Sequence, residues 1–156
     1  MATTVTAATL TVTVTEAITL NNQALGASNV LTISSVTEVA KRIVNVPTSE
    51  VIILVFAATN PAAGEFVEGD VRYIRITNLD DTNHVTLVFR GEGAAEFAVK
   101  LDKGQTFIYN GDLSGGVVDT MDASASALTV DLEDLVDITA LADTAACDLE
   151  LFVAGV

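Results

Sequence analysis

The chain has 156 residues, enough for one domain that buries roughly two-thirds of its unfolded surface. Its 21 acidic and 7 basic side chains give a net charge of −14, which would repel nucleic acid and anionic membranes. One cysteine, Cys147, rules out an internal disulfide, and its neighbours Ala145 and Ala146 point to a buried structural thiol rather than a reactive one. No apolar run reaches the ~18 residues of a membrane span, and Met1-Ala2-Thr3-Thr4 lacks the basic and apolar regions of a signal peptide. A hydrophobic fraction of 50% exceeds what one small core requires, so some apolar surface is expected to be covered by other subunits.

From Thr9 to Leu20 the sequence alternates, with Leu10, Val12, Val14, Ile18 and Leu20 on one face and Thr9, Thr11, Thr13, Thr15 and Thr19 on the other. Threonine favours extended backbone and costs little to expose, so the pattern predicts one long strand, or two joined at Glu16. Residues 1–20 are therefore expected to form an extended N-terminal strand or arm that contacts neighbouring subunits, with residues 21–156 making a single β-sandwich domain. Asn21 and Asn22 end the first strand, and Leu31 and Ile33 mark a short one before Ser34-Ser35.

Residues 35–46 carry two signals. Ser35 with Glu38 imitates a helix capping box, and Val36, Val39, Ala40, Ile43 and Val44 have helical spacing. The β-branched content and the extended backbone that Pro47 imposes on Val46 favour a strand. Val51 to Phe56 reads as a central strand buried on both faces, and Ala57 to Gly69, with Asn60-Pro61 and Gly64, as a loop long enough to carry a contact site.

Residues 71–110 read as a four-stranded antiparallel meander. Val71 to Thr77 stops at an Asx-rich turn from Asn78 to Asn83. Val85, Leu87 and Phe89 then alternate with Thr86, Val88 and Arg90 up to Gly91-Glu92-Gly93. Phe97, Val99 and Leu101 alternate with Ala98 and Lys100, Asp102-Lys103-Gly104 turns the chain, and Phe107 and Tyr109 begin a fourth strand closed by Asn110-Gly111. Gly111 to Ala127 reads as a surface loop with a short strand at Val117-Val118, followed by the alternating Leu128, Val130 and Leu132. The last strand sets Leu149, Leu151 and Val153 against Asp148, Glu150 and Phe152. Many short strands and little convincing helix predict an all-β fold, an antiparallel β-sandwich of jelly-roll type.

No chemistry-bearing constellation stands out. His84, the sole histidine, ends a polar turn, and no serine lies in a G-x-S-x-G context, so no catalytic residue is assigned. One histidine and one distant cysteine do not make a zinc site. Asp119, Asp122, Asp131, Glu133, Asp134 and Asp137 gather hard oxygen ligands, yet the D-x-[DN]-x-[DN]-G loop is absent and solvated charge explains them; no metal or cofactor is assigned. Gly115-Gly116 lacks the context of a phosphate loop. Arg72, Arg75 and Arg90, placed on adjacent strands, would pair with Glu92, Glu96 or Asp81, or else dock an acidic partner.

The block Tyr73-Ile74-Arg75-Ile76-Thr77-Asn78-Leu79, then Val85-Thr86-Leu87, then Phe97-Ala98-Val99-Lys100-Leu101-Asp102-Lys103-Gly104-Gln105-Thr106-Phe107, resembles a pattern of small all-β virion proteins of tailed bacteriophages, read as Y-x-R-I-T-N-L, an aliphatic strand, and F-x-V-K-L-x-x-G-x-x-F. Asp137 to Ala142 and Leu149 to Ala154 are similar too, so the resemblance spans about the last half of the chain, on strands and turns. It implies a non-enzymatic capsid decoration, or cement, protein: a homotrimer on the outer capsid surface of the virion, made in the host cytoplasm, stabilising contacts between major capsid protein subunits. No family site residue transfers. The arm and the 57–69 loop are the expected contact elements, with Leu10, Val12, Val14, Asn60, Pro61, Phe66, Arg72 and Arg75 as the partner-contact residues. A tail, neck or baseplate ring component is the alternative. A carbohydrate-binding sandwich for host attachment is a second, disfavoured by 5% aromatic content and the absence of tryptophan.

Overall fold

A computed structural model describes residues 4–92, 96–110, 117–118 and 132–156. Every regular element among them is a strand. The chain forms two compact units that divide after Glu38, where the sequence reading put the boundary at Leu20. The smaller contains β1 (Ala8–Thr15), β2 (Thr19–Leu20), β3 (Gln23–Ala24) and β4 (Ser28–Val36). Residues 21–36 fall within it because they pair with the first strands.

The larger unit, Val39–Gly155, holds β5 (Glu38–Val46), β6 (Val51–Ala57), β7 (Phe66–Val67), β8 (Val71–Asn78), β9 (Val85–Gly91), β10 (Glu96–Leu101), β11 (Thr106–Asn110), β12 (Val117–Val118), β13 (Leu132–Glu133), β14 (Leu135–Ala142) and β15 (Cys147–Gly155). A five-stranded sheet runs β10-β9-β14-β6-β7 and a four-stranded sheet runs β11-β8-β15-β5, while β12 and β13 pair separately. In these sheets β9 pairs antiparallel with β10 and β14, β14 with β6, and β8 with β11 and β15, whereas β6 and β7 run parallel.

The two larger sheets share one core. Val85, Leu87 and Phe89 on β9 are fully buried, and so are Ile74 and Ile76 on β8, with Leu149, Leu151 and Val153 on β15 scarcely exposed. Phe89 lies 5.0 Å from Phe107, a contact from the five-stranded sheet to the four-stranded one. The period-two alternation written in β9 and β15 thus becomes an inner face and a wetter outer face.

Three expectations change. Residues 71–110 make four strands, but not a meander: β9 pairs with β10, whereas β8 pairs with β11 and β15. Both β8 to β9 and β10 to β11 cross between sheets, a choice that turn composition alone does not encode. The second concerns β6, which is not buried on both faces throughout: Ile53, Leu54 and Phe56 are buried, but Ile52 is 58% exposed. In the third, the 57–69 loop returns Phe66 and Val67 to the sheet edge, as partners of Phe56 and Ala57. The 35–46 segment is extended, as its β-branched residues predicted.

Candidate functional site

The smaller unit is a single two-stranded ribbon. Asn21 and Asn22 have φ of 50° and 62°, so both central residues of this two-residue turn are left-handed, the geometry that matches strand twist in a tight hairpin. One register then runs the length of the ribbon. Leu20 faces Gln23, Thr19 faces Ala24, Leu25 donates its N–H to the carbonyl of Ile18 at 3.0 Å, and Glu16 donates to Ala27 at 2.8 Å. Beyond them Thr15 faces Ser28, Val14 faces Asn29, Val12 faces Leu31 and Leu10 faces Ile33. Gly26 is needed here, since a Cβ would lie 2.2 Å from the Glu16 carbonyl oxygen. Near the base Thr9 is opposed by Ser34 and Ser35, a bulge with Ser35 at φ 62°.

The ribbon leaves apolar side chains uncovered. Ile18, Leu20 and Leu25 at the tip are each 55–56% exposed, and Val30 is 63% exposed. Neither β1 nor β4 pairs with a third strand among the described residues, so both outer edges carry free backbone donors and acceptors. A two-stranded hairpin is marginal in water by itself. Leu25 and Val30 escape a reading of the sequence in which Asn21-Asn22 merely ends a strand. A two-residue Asn-Asn pair between alternating runs was the available hairpin signal.

The sequence-predicted contacts separate into groups. Leu10 and Val12 are half-buried on the ribbon and Val14 is exposed. Asn60 and Pro61 are exposed on the loop between β6 and β7. Phe66 is not at the surface: it is 5% exposed and packs in the core with its ring 6.5 Å from that of Phe56, because the β6–β7 pairing turns it inward. Arg72 donates to the carbonyls of Gly69 at 2.6 Å and Val71 at 3.0 Å. Arg75 donates to Glu150 at 2.5 Å and to the Thr77 hydroxyl at 2.7 Å. Arg90 pairs with Glu50 at 2.5 Å and lies near Glu96 and Asp137. These cations are engaged within their own chain. Of the expected partners, Glu96 lies near Arg90, while Arg75 pairs with Glu150 across to the neighbouring strand β15.

The chemically distinctive side chains have structural surroundings. His84 Nδ1 is 3.5 Å from Asp143 Oδ2, and its backbone carbonyl accepts from the Asp143 N–H. The Cys147 thiol is buried, and burial first, then the charge of Asp80, pushes its pKa up, the opposite of an activated thiol. Among the acidic residues, Asp137 lies across from Arg90 on the next strand, and burial raises its carboxyl above the usual range. Asp134 comes together with Glu68 and Glu92. Asp119, Asp122 and Asp131 fall outside the described residues, as does the side chain of Glu133.

No family model matches the chain, and no curated protein matches it. Among solved structures it is similar to a chain from the Bacillus endospore appendages, a family of disulfide-linked pili, at 12% identity over 76% of this chain and 86% of that one, with a TM-score of 0.42.

Proposed function

We propose that this chain is a non-enzymatic structural protein of a phage virion. In this reading it binds the outside of the head as a homotrimer and stabilises contacts between major capsid protein subunits. The observation that carries the assembly role is the ribbon of residues 8–36, a marginal two-stranded element with open edges and an apolar tip at Ile18, Leu20 and Leu25. Covering each of those side chains contributes on the order of 1 kcal/mol, since about half of its surface is still in water. The phage assignment rests on the sequence resemblance in the 71–110 block and the last two strands.

The strand order supports a jelly-roll version of the fold. Leaving aside the short β7, β12 and β13, the eight long strands of the larger unit alternate as β5-β15-β8-β11 and β6-β14-β9-β10. This alternation supports reading the unit as the paired Greek keys of a double-sheet jelly roll, an architecture used in viral capsid domains.

Cementing works by linkage. A subunit that bridges two capsid subunits adds binding free energy to the closed shell and not to its separated parts, so the shell resists bursting. The test mixes purified protein with heads assembled without it, then measures co-sedimentation and the temperature of DNA release. Bound protein and a higher release temperature are expected, with both lost in Leu20→Lys/Leu25→Lys. Heads that neither bind the wild-type protein nor gain stability would overturn the head assignment. A ring of six or twelve copies would move it to the neck or tail.

A further inference from the structure

We propose that Glu68, Glu92 and Asp134 hold a divalent cation that prefers oxygen ligands, with calcium the best match. The three residues come from separate parts of the larger unit: Glu68 directly after β7, Glu92 directly after β9, and Asp134 between β13 and β14. One carboxylate oxygen from each lies within 4.8 Å of the other two. Oxygens that share a calcium ion at about 2.4 Å each lie no more than about 5 Å apart, so this convergence fits one ion at its centre. Magnesium, with bonds of about 2.1 Å and strict octahedral geometry, demands tighter convergence.

A second observation separates this trio from ordinary surface acids. Glu68 is only 6% exposed, and its Oε2 is buried without a hydrogen-bond partner. A buried carboxylate oxygen with no donor is costly unless a cation or a proton meets it. The backbone holds the arrangement in place: Glu68 donates its N–H to Ala57 at 3.1 Å, and Glu92 donates to the Asp134 carbonyl at 3.2 Å. Burial first, then the charges of Asp134 and Glu92, push the Glu68 carboxyl above its ordinary range. Glu92 is exposed, which leaves room for water to complete the coordination shell.

The test is calcium titration of the EDTA-treated full chain by calorimetry, with thermal unfolding at matched calcium and magnesium concentrations. One calcium per chain is expected, with a melting midpoint raised by several degrees and a smaller effect of magnesium. Glu68→Gln should weaken calcium binding at least tenfold, and Glu92→Gln, at an exposed position, keeps the comparison available if Glu68→Gln does not fold. No calcium binding by the wild-type chain would overturn the proposal. So would many weak sites unchanged by either substitution. If instead the wild-type midpoint ignores calcium but climbs as the pH is lowered from about 7 to 5, while Glu68→Gln shows no such climb, a proton shared between the carboxyl groups takes the cation's place.

Discussion

The side-chain amide of Asn78 donates to the carbonyl of Leu101 across 3.2 Å, tying the end of β8 in the four-stranded sheet to the end of β10 in the five-stranded one. The same amide nitrogen reaches the Asn83 carbonyl at 3.0 Å, and Asn78 Oδ1 accepts the N–H of Asp80. Its backbone joins too, donating to Gln105 and accepting from Gly104. One fully buried polar residue therefore pins both chain crossings between the sheets.

Replacing Asn78 with alanine strands buried groups on two loops, so Asn78→Ala should destabilise the fold by about 3 kcal/mol. Asn78→Asp should cost at least as much, because it turns a carboxylate toward two carbonyl oxygens. Urea unfolding midpoints measure both; a loss under about 1 kcal/mol in each variant would show that water replaces the side chain without penalty.

Asn78 also marks where sequence reading stops. The four strand segments between Val71 and Asn110 were legible, since β-branched alternation and Asx or glycine turns set their limits. Their pairing was not, because a six-residue polar connection from Leu79 to His84 can close a hairpin or cross a core equally well. The ribbon failed for a different reason. Its alternation was plain from Leu10 to Leu20, but its second strand is diluted by Gly26, Ser28 and Asn29, which masks the apolar Leu25 and Val30. Glu68 gave no signal at all; only the return of Phe66 and Val67 to the sheet edge carries it inward.

Acid stability should depend on Glu150. Hydrogen bonds first from Arg75 and then from Lys41 hold its carboxyl below the ordinary value of 4.5. Its contribution is therefore present above about pH 4.5 and lost as the pH falls through its folded-state value. Asp137, raised by burial, acts in the opposite sense: the fold takes up a proton before the unfolded chain does, so stability rises as the pH approaches its value from above. Thermal midpoints from neutral pH to about 3 should show Glu150→Gln less stable near neutrality, with a shallower fall on the acid side. An acid limb as steep as that of the wild type would remove Glu150 from the explanation.

Cys147 should be silent in the folded protein. Its thiol is buried and its pKa raised, so a thiol reagent at neutral pH has neither access nor thiolate. Labelling should follow the unfolding curve in urea and stay below a tenth of the chains in native buffer over the same time. Rapid stoichiometric labelling in native buffer would mean that the end of β15 opens readily.

Assembly through the ribbon is the central claim, and native mass across a dilution series tests it most directly, for the wild type and for Leu20→Lys/Leu25→Lys. Both substitutions lie at exposed positions of the ribbon tip, so the unfolding of the larger unit should not change. A wild-type trimer that the double variant reduces to a monomer, with the same unfolding midpoint, is the expected result. Equal masses for the two proteins at every concentration would contradict a ribbon that joins copies of this chain.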